Sequence, residues 1–302
     1  MKVADYLDHF KSLSYPALFG EGVTKALSNI EAGFGDVNTR EVIYETALSS
    51  DERSLDFSVR VDTTAMPFHE YWLEFDAESF MEAVPENPCR FVDSGQVRPE
   101  TAAENEIFYA EALPFLCPGQ EGDRFKALLP MLRRVVSALA GRSNGLFQAG
   151  AMNDRNEEDR LRIFTLELPP EEAVPYLKEL SYGGDTAHLQ AVITALSPFL
   201  ENDEMILDFD IFPDHISEKA GINFGIKDFS AEGLQDFLNA MALQGMCLPE
   251  KIPAAVSWFD AGASFIRYDI SHFKYSVATD RKDLLKAYFR QQEIPSVIIP
   301  KW

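Results

Sequence analysis

Apolar and polar residues alternate along several stretches of this sequence, which is the pattern of a β-strand with one buried face. The stretch RSLDFSVRVD shows the alternation most regularly, with an apolar residue at every odd position from Leu55 to Val61. The opposite face of this strand carries Asp56 and Arg60 among its polar residues. These charged side chains contact either water or a ligand, and the direction in which the strand faces decides which of the two.

Strand patterns occur in pairs that repeat at intervals of roughly 50 to 60 residues. Five hairpins are predicted, starting near Glu41, Phe91, Gly145, Glu204 and Ala254. They join EVIYETALSS with SLDFSVRVD, RFVDSGQV with EIFYAEAL, GLFQAGAMN with RLRIFTLEL, EMILDFDIF with AGINFGI, and AAVSWFDA with SFIRYDISHFKYSV. Ten antiparallel strands remove all exposed edges when they close into a barrel, and a barrel of this size leaves room for a ligand.

Amphipathic helical patterns lie between the predicted hairpins. They include DRFKALLPMLRRVVSALAG, PEEAVPYLKEL, TAHLQAVITALSPFL, SAEGLQDFLNAMAL with Ser230 as its N-cap, and DRKDLLKAYFRQQ near the end of the chain. Because these helices must bury their apolar faces, we expect them outside the barrel, with the polar strand faces inside. The sequence therefore predicts a single α+β domain over residues 1–302. Its core is a ten-stranded antiparallel β-barrel of five ααββ repeats, with a solvent-filled polar lumen ringed by α-helices.

Composition and charge narrow the classes of function. The chain is 46% hydrophobic and 25% charged, as in soluble globular proteins, and no apolar run is long enough to span a membrane. The start MKVADYLDHFKSL carries charges where a signal peptide is apolar, so we expect a cytoplasmic protein. We also expect a monomer. A net charge of −22 disfavours binding to nucleic acids or anionic membranes. Three cysteines without a C-x-x-C spacing and five scattered histidines indicate neither a disulfide framework nor a zinc site.

The predicted barrel resembles the ABBA-type prenyltransferases, and several segments resemble theirs. LDFSVRV is similar to an L-D-F-S segment in the second strand of the small aromatic members, and LDFDIFPDHISEKAGINFGI is similar to a strand–turn–strand unit. GLFQAGAMNDRNEEDRLRIFTLELPPEEA and RYDISHFKYS resemble strands of the cyanobactin-type peptide prenyltransferases, which are the closest in layout. The resemblance implies transfer of a dimethylallyl or geranyl group from an isoprenoid diphosphate to an acceptor inside the barrel.

A side chain of a cyclic peptide, modified in natural-product biosynthesis, is the acceptor that this layout favours. Three other functions stay open on the sequence alone. The first is prenylation of an aromatic small molecule by the same fold, and the second is a non-catalytic barrel that binds a charged metabolite. The third is an enzyme of unrelated chemistry that uses the paired carboxylates of Asp208 and Asp210.

Ionising a prenyl diphosphate requires positive charge and hydrogen-bond donors around the departing diphosphate. The predicted lumenal strand faces supply candidate ligands from several hairpins: Arg60, Arg162, Lys227, Arg267 and Tyr275. Small aromatic ABBA enzymes carry a diphosphate-binding lysine in a segment that resembles ENEIFYAEALP, which has no lysine here. This difference predicts a different set of diphosphate ligands, a cationic acceptor, or a different register of the strands.

The allyl cation must be covered by aromatic rings and kept from water, and Phe164, Trp258 and Phe273 are the predicted residues for that role. The resemblance to cyanobactin-type enzymes implies that Glu41 is the general base. Glu45 shares its strand face and is the reserve candidate.

Asp56 matches the aspartate of the L-D-F-S segment, which ligates Mg²⁺ in some small aromatic members of the family. Magnesium accepts one carboxylate together with phosphate oxygens and water, so Mg²⁺ is the expected cofactor. A structural salt bridge between Asp56 and a lumenal arginine is the alternative.

Overall fold

A computed structural model describes most of the chain. The described residues are 1–13, 16–20, 23–50, 58–63, 71–76, 89–94, 97–116, 123–151, 160–261, 265–279 and 282–294.

Within these residues, ten strands form one closed antiparallel barrel. They are β1 (Glu41–Ala47), β2 (Ser58–Thr63), β3 (Tyr71–Asp76), β4 (Cys89–Asp93), β5 (Leu146–Ala151), β6 (Leu161–Thr165), β7 (Ile206–Ile211), β8 (Ile216–Phe224), β9 (Ile266–Val277) and β10 (Leu284–Glu293). Each strand pairs with its neighbours in sequence, and β1 closes the barrel against β10 in a register that runs from Glu41 opposite Gln292 to Ala47 opposite Lys286. The odd-numbered strands all begin at one end of the barrel, which we call the mouth.

Helices connect most of the hairpins. They are α1 (Val3–Leu13), α2 (Pro16–Phe19), α3 (Val23–Phe34), α4 (Ala102–Leu116), α5 (Asp123–Ala138), α6 (Pro170–Glu179), α7 (Thr186–Leu196), α8 (Ala231–Leu243) and α9 (Ile252–Ser257). Ser230 caps α8 as predicted, because its Oγ accepts a hydrogen bond of 3.1 Å from the amide of Gly233. Across the described part of the chain, none of the helices is long and apolar enough to cross a membrane.

The predicted fivefold ααββ repeat does not hold at the second hairpin. Helices precede β1, β5, β7 and β9, whereas only residues 64–70 separate β2 from β3. The α+β architecture, with an antiparallel curled sheet and helices on its outside, agrees with the sequence-based expectation.

The hydrophobic core lies between the helices and the outer face of the barrel. On β1, Val42 and Tyr44 belong to this core, and the Tyr44 ring stacks on Phe10 of α1 with centroids 4.2 Å apart. Ile43 and Glu45, which alternate with them, therefore point into the lumen. The same alternation on β5 to β10 sorts their side chains into an apolar outer face and a largely polar inner face.

Two segments that were predicted as strands are helical. EIFYAEAL lies within α4, and AAVSWFDA forms most of α9 and the 3₁₀ turn Trp258–Ala261. Their places in the barrel are taken by β3, which was not predicted, and by β10, which was predicted as a helix. Alanine and glutamate favour the helix in EIFYAEAL. In β10 the deciding pattern is the alternation of buried Leu285, Ala287 and Phe289, which pack against the helices as a strand face.

A β-bulge at Ser271 changes which face of β9 points outward. Tyr288 of β10 pairs with His272, whereas the next residue, Phe289, pairs with Ile270, so Ser271 is an extra residue in the ladder. The alternation of inner and outer side chains shifts by one position at this point.

The bulge makes two lumenal assignments wrong. Phe273 and Tyr275 lie on the outer face, within the hydrophobic core, whereas the regular alternation of an unbroken strand places them inside. Lys274, between them, points into the lumen instead and is buried there.

Replacing Phe273 tests this placement. Its ring is fully buried and lies 5.9 Å from the ring of Phe224 and 4.9 Å from that of Phe237 on α8. We expect Phe273→Ala to lower the free energy of unfolding by about 3–5 kcal/mol, measured by urea denaturation. Phe164→Ala, at a partly buried lumenal position, is the matched control and is expected to cost less. A loss at Phe273 no larger than that at Phe164 contradicts the outward placement.

Candidate functional site

Positive side chains from four strands on one side of the barrel converge in the lumen. They are Arg162 on β6, Lys219 on β8, Lys274 on β9 and Lys286 on β10. Burial lowers the pKa of Lys219, and repulsion from Arg162, Lys274 and Lys286 lowers it further. We call these four residues the lumenal cation cluster.

Asp208 of β7 anchors one side of the cluster. Its Oδ1 accepts a hydrogen bond of 2.7 Å from Lys274 Nζ, and its Oδ2 accepts one of 2.7 Å from Asn223 Nδ2. Burial alone raises the pKa of an aspartate, but Lys274 and Arg162 hold the pKa of Asp208 below its usual range. A Cβ atom at Gly221 would lie 2.0 Å from Asp208 Oδ2 and 2.6 Å from Lys274 Cε, so glycine at this position makes room for the ion pair.

Asp210 anchors the other side. Arg162 binds it through both Nε (2.7 Å) and Nη2 (3.0 Å), and Arg160 Nη1 lies 3.0 Å from the same carboxylate. Although burial opposes ionisation, these arginines lower the pKa of Asp210 to about 2. The bidentate contact fixes the orientation of the Arg162 guanidinium in the barrel wall.

Lys219 is the member of the cluster without a carboxylate contact. Among the described residues its ammonium has no hydrogen-bond or ion-pair partner, and burial together with the neighbouring cations lowers its pKa to about 7. The hydroxyl of Ser276 on β9 is also buried without a partner, and its Cα pairs with that of Gly221. These two groups are positioned to bind an anion that enters the lumen.

A second group of charges lies near the mouth. Arg290 of β10 binds Asp269 through Nε (2.7 Å) and Nη2 (2.9 Å), and its Nη1 lies 3.7 Å from Glu41 Oε2. Glu45, four residues deeper on β1, accepts a hydrogen bond of 2.8 Å from Lys286 Nζ. Both predicted carboxylates of β1 are thus lumenal and buried.

A cavity of about 290 Å³ opens at the mouth along the wall formed by β5 to β9. Its inner lining includes Phe164, Asn223 and His272. Phe164 lies beneath the ammonium of Lys274, which is 5.7 Å from the ring centroid, and Asn223 binds Asp208. The cavity therefore adjoins the lumenal cation cluster.

The structure brings some of the predicted site residues together. Arg162, Phe164 and Glu41 lie in the lumen, and Arg267 lies at the mouth, where its Nε is 2.8 Å from Asp269 and its side chain is 64% exposed. For Arg60 the structure describes the backbone, and its Cα pairs with those of Ile43 and Glu74. Asp56 lies outside the described residues.

Four other predicted site residues lie outside the lumen. Phe273 packs in the core, as described above. Lys227 follows the end of β8 on the surface and pairs with Asp203 at 2.9 Å. Tyr275 points outward, and its hydroxyl donates to Asp283 at 3.3 Å. Trp258 belongs to a 3₁₀ turn rather than a strand.

The Trp258 side chain fills the helical layer. It is fully buried against Phe10 and Tyr268, and its Nε1 donates to the carbonyl of Asp269 at 2.9 Å. The strand that was predicted around it is a helix, so its side chain packs on the outer face of β9 and cannot reach the lumen.

Sequence reasoning missed Lys219, Lys274, Lys286 and Arg290. Lys286 and Arg290 were missed because β10 was interpreted as a helix, and Lys219 was missed because β8 was predicted to begin at Ala220. For Lys274 a signal was available, since the apolar alternation of β9 changes phase between Ile270 and Phe273. Such a change of phase within one strand indicates a bulge.

Comparison with known proteins identifies the fold of this chain. The sequence matches no known family model and no curated protein. Among solved structures it is similar to the crystal structure of NotF in complex with brevianamide F and DMSPP, with a TM-score of 0.53 and 11% sequence identity over 84% of this chain and 80% of that chain. This chain has the prenyltransferase-barrel fold. The particular likeness to cyanobactin-type enzymes stays a prediction.

Lys219 gives a test of the electrostatics of the ligand-free barrel. Below about pH 7 its ammonium is charged in both the folded and the unfolded state, so folding buries a charge among like charges. As pH rises above about 7, the folded state releases this proton before the unfolded state does, and the penalty diminishes. We therefore expect Lys219→Met to stabilise the ligand-free protein, with a gain that is larger at pH 6 than at pH 9.

Urea denaturation at the two pH values measures this difference. Lys227→Met, which removes a lysine at the surface end of the same strand region, is the control and is expected to show no such dependence. A gain from Lys219→Met that is equal at both pH values contradicts the burial of a repelled ammonium.

Proposed function

We propose that this protein is a prenyltransferase that transfers a dimethylallyl or geranyl group from an isoprenoid diphosphate to a peptide side chain. The lumenal cation cluster, inside a prenyltransferase barrel, is the observation that carries the proposal. NotF is a prenyltransferase and is complexed with DMSPP and brevianamide F, which supports a diphosphate donor and an acceptor in the same barrel. An aromatic small molecule is the second candidate acceptor, and the complex of NotF favours it.

The cluster acts on the departing diphosphate. When the C1–O bond of the donor breaks, both bonding electrons stay on the diphosphate oxygen, and negative charge grows there. Lys274 places positive charge there before the reaction begins, and the hydroxyl of Ser276 supplies a hydrogen-bond donor. Lys219, whose pKa is about 7 in the empty barrel, becomes fully charged when the diphosphate binds, because a neighbouring anion raises that pKa. Groups fixed in advance in a closed lumen stabilise this charge more strongly than mobile water does.

Aromatic rings cover the allyl cation that forms. Phe164 contacts the ring of Phe91 edge to face, with centroids 6.0 Å apart, and a Cβ at Gly150 would lie 2.0 Å from the Phe91 ring. On the opposite side of the cavity, His272 stacks on Tyr288 at 4.0 Å. These rings take the place of Trp258 and Phe273 in our proposal, because they line the lumen and attract a cation.

Glu41 remains the proposed general base. The acceptor attacks C1 of the allyl cation, a new bond forms, and a proton leaves the acceptor for a carboxylate oxygen. Glu45 is already held by Lys286 at 2.8 Å, whereas the contact of Glu41 to Arg290 is longer, at 3.7 Å. Both carboxylates are ion-paired, and we place Glu41 ahead of Glu45 because it lies at the start of β1, nearer the mouth.

The described residues form no metal site made of protein ligands alone. They contain no group of three or more His, Cys, Asp or Glu side chains placed to hold a metal ion. Both oxygens of Asp208 accept hydrogen bonds from Lys274 and Asn223, and Asp210 is bound by two arginines. The same pairing argues against an enzyme that uses Asp208 and Asp210 as a free carboxylate pair. A role for Mg²⁺ stays a proposal that depends on Asp56.

Donor binding tests the cluster directly. Lys274→Met and Lys219→Met are each expected to weaken the binding of dimethylallyl diphosphate by about tenfold or more, because each removes a charge-assisted hydrogen bond. Isothermal titration calorimetry with dimethylallyl diphosphate and inorganic diphosphate measures the effect. Lys227→Met is the matched control and is expected to bind like the unmodified protein. If no isoprenoid diphosphate binds at millimolar concentration, the proposed function is wrong.

The base assignment has a separate test. Glu41→Gln keeps the size of the side chain but cannot accept the proton, so we expect donor affinity to be unchanged and transfer to fall by about 10²-fold or more. Mass spectrometry of a panel of peptide and aromatic acceptors, with C5 and C10 donors, measures transfer. Unchanged transfer in Glu41→Gln shows that another group is the base. Diphosphate binding without transfer to any acceptor supports the alternative of a binding barrel.

A further inference from the structure

We propose that the cavity at the mouth binds a cation, and that the acceptor carries an ammonium or guanidinium group. This inference rests on the proposed function, since it names the class of acceptor for the same site. Three glutamates line the outer part of the cavity, and we call them the rim glutamates: Glu167, Glu201 and Glu204.

The rim glutamates differ from the carboxylates deeper in the barrel. Asp208, Asp210, Asp269, Glu41 and Glu45 each lie within 4 Å of a lysine or arginine side chain. In the described part of the chain, the rim glutamates have no such partner, and the cavity is lined by neither lysine nor arginine. Lys227, two residues beyond the cavity residue Gly225, binds Asp203 instead. The negative charge of the rim is therefore uncompensated.

Backbone contacts fix the rim in place. Leu168 and Met205, which follow Glu167 and Glu204, exchange two backbone hydrogen bonds of 2.8 and 3.0 Å. The amide of Glu201 donates to the carbonyl of Gly225 at 2.9 Å. A Cβ at Gly225 would lie 2.3 Å from Glu201 Oε2, so the carboxylate lies directly against the cavity wall.

A buried amide gives independent support for a ligand in this cavity. Gln148 of β5 is only 3% exposed and lines the cavity, and its side chain has no hydrogen-bond partner among the described residues. Buried polar groups in folded proteins are nearly always hydrogen-bonded. An N–H group of an ammonium or guanidinium ligand would donate to the Gln148 carbonyl oxygen and satisfy it.

The cavity also offers aromatic rings against which the apolar part of the ligand can pack. Phe164 and His272 line the cavity, and Phe147 is 43% exposed beside them. Aromatic faces attract cations and pack on apolar groups. The cavity thus offers carboxylates at the rim and rings below, while the cations that suit a diphosphate lie deeper. An acceptor cation and a donor diphosphate are attracted to different levels of the lumen, which leaves the allyl carbon between them.

A matched set of three ligands tests the charge preference. Tryptamine, N-acetyltryptamine and indole-3-acetate share an indole ring and differ in charge. We expect the unmodified protein, titrated calorimetrically at pH 7 with and without inorganic diphosphate, to bind tryptamine at least tenfold more tightly than indole-3-acetate. N-acetyltryptamine is expected to be intermediate. The double variant Glu201→Gln, Glu204→Gln is expected to reduce the ratio to less than threefold.

Two further variants connect the preference to the cavity. Gln148→Ala is expected to weaken tryptamine severalfold without changing diphosphate binding. Glu232→Gln, at an exposed position on α8, changes the net charge by one and is expected to leave the ratio unaltered.

Failure of this inference is distinguishable from failure of the proposed function. Equal binding of the three ligands, tighter binding of indole-3-acetate, or no binding of tryptamine at millimolar concentration overturns the cationic acceptor, even if diphosphate binds normally. Selective binding of tryptamine by a protein that binds no diphosphate keeps the cation site and overturns the prenyltransferase.

Discussion

Pairing of buried charges is the constraint on which this barrel depends. Its outer face is largely apolar and lies under helices, so the inner face receives most of the charged residues on the strands whose side chains are described. A buried carboxylate without a counter-ion is very costly, and Asp208, Asp210 and Asp269 in the lumen are each held by lysine or arginine. Once those pairs are made, a positive surplus remains at Lys219, and a negative surplus remains at the cavity rim.

The two surpluses separate charge along the barrel axis, with negative charge at the mouth and positive charge deeper in the lumen. Rigid strands hold each charge at a fixed level, because the pairing register of the barrel determines how deep every side chain lies. Stability and function are opposed at Lys219. The positive charge of its neighbours repels the Lys219 ammonium and destabilises the empty protein, and the same positive charge attracts an anion into the lumen. Glycines contribute on the same wall, where Gly221 and Gly150 leave space for a lysine arm and an aromatic ring.

Much of the barrel was predictable where a strand alternates without interruption. β1, β5, β6, β7 and most of β8 follow the period of two, and the positions of Glu41, Arg162 and Phe164 followed from it. Prediction failed where two patterns compete or where one pattern changes phase. The LLKAYFRQQ segment suits a helix as well as a strand, and only its pairing with β1 and β9 decides between them. The proximity of Lys219 to three other cations depends on barrel closure, which no local pattern contains.

The bulge at Ser271 has a consequence for how such a site arises. One inserted residue exchanges the two faces of the remaining strand, so it turns two aromatic rings toward the helices and a lysine toward the lumen. Which side chains of the second half of β9 face the lumen thus depends on the number of residues that precede them in the strand. A chain that gains or loses one residue here changes the charge of its lumen in a single step, without a substitution at any lumenal position.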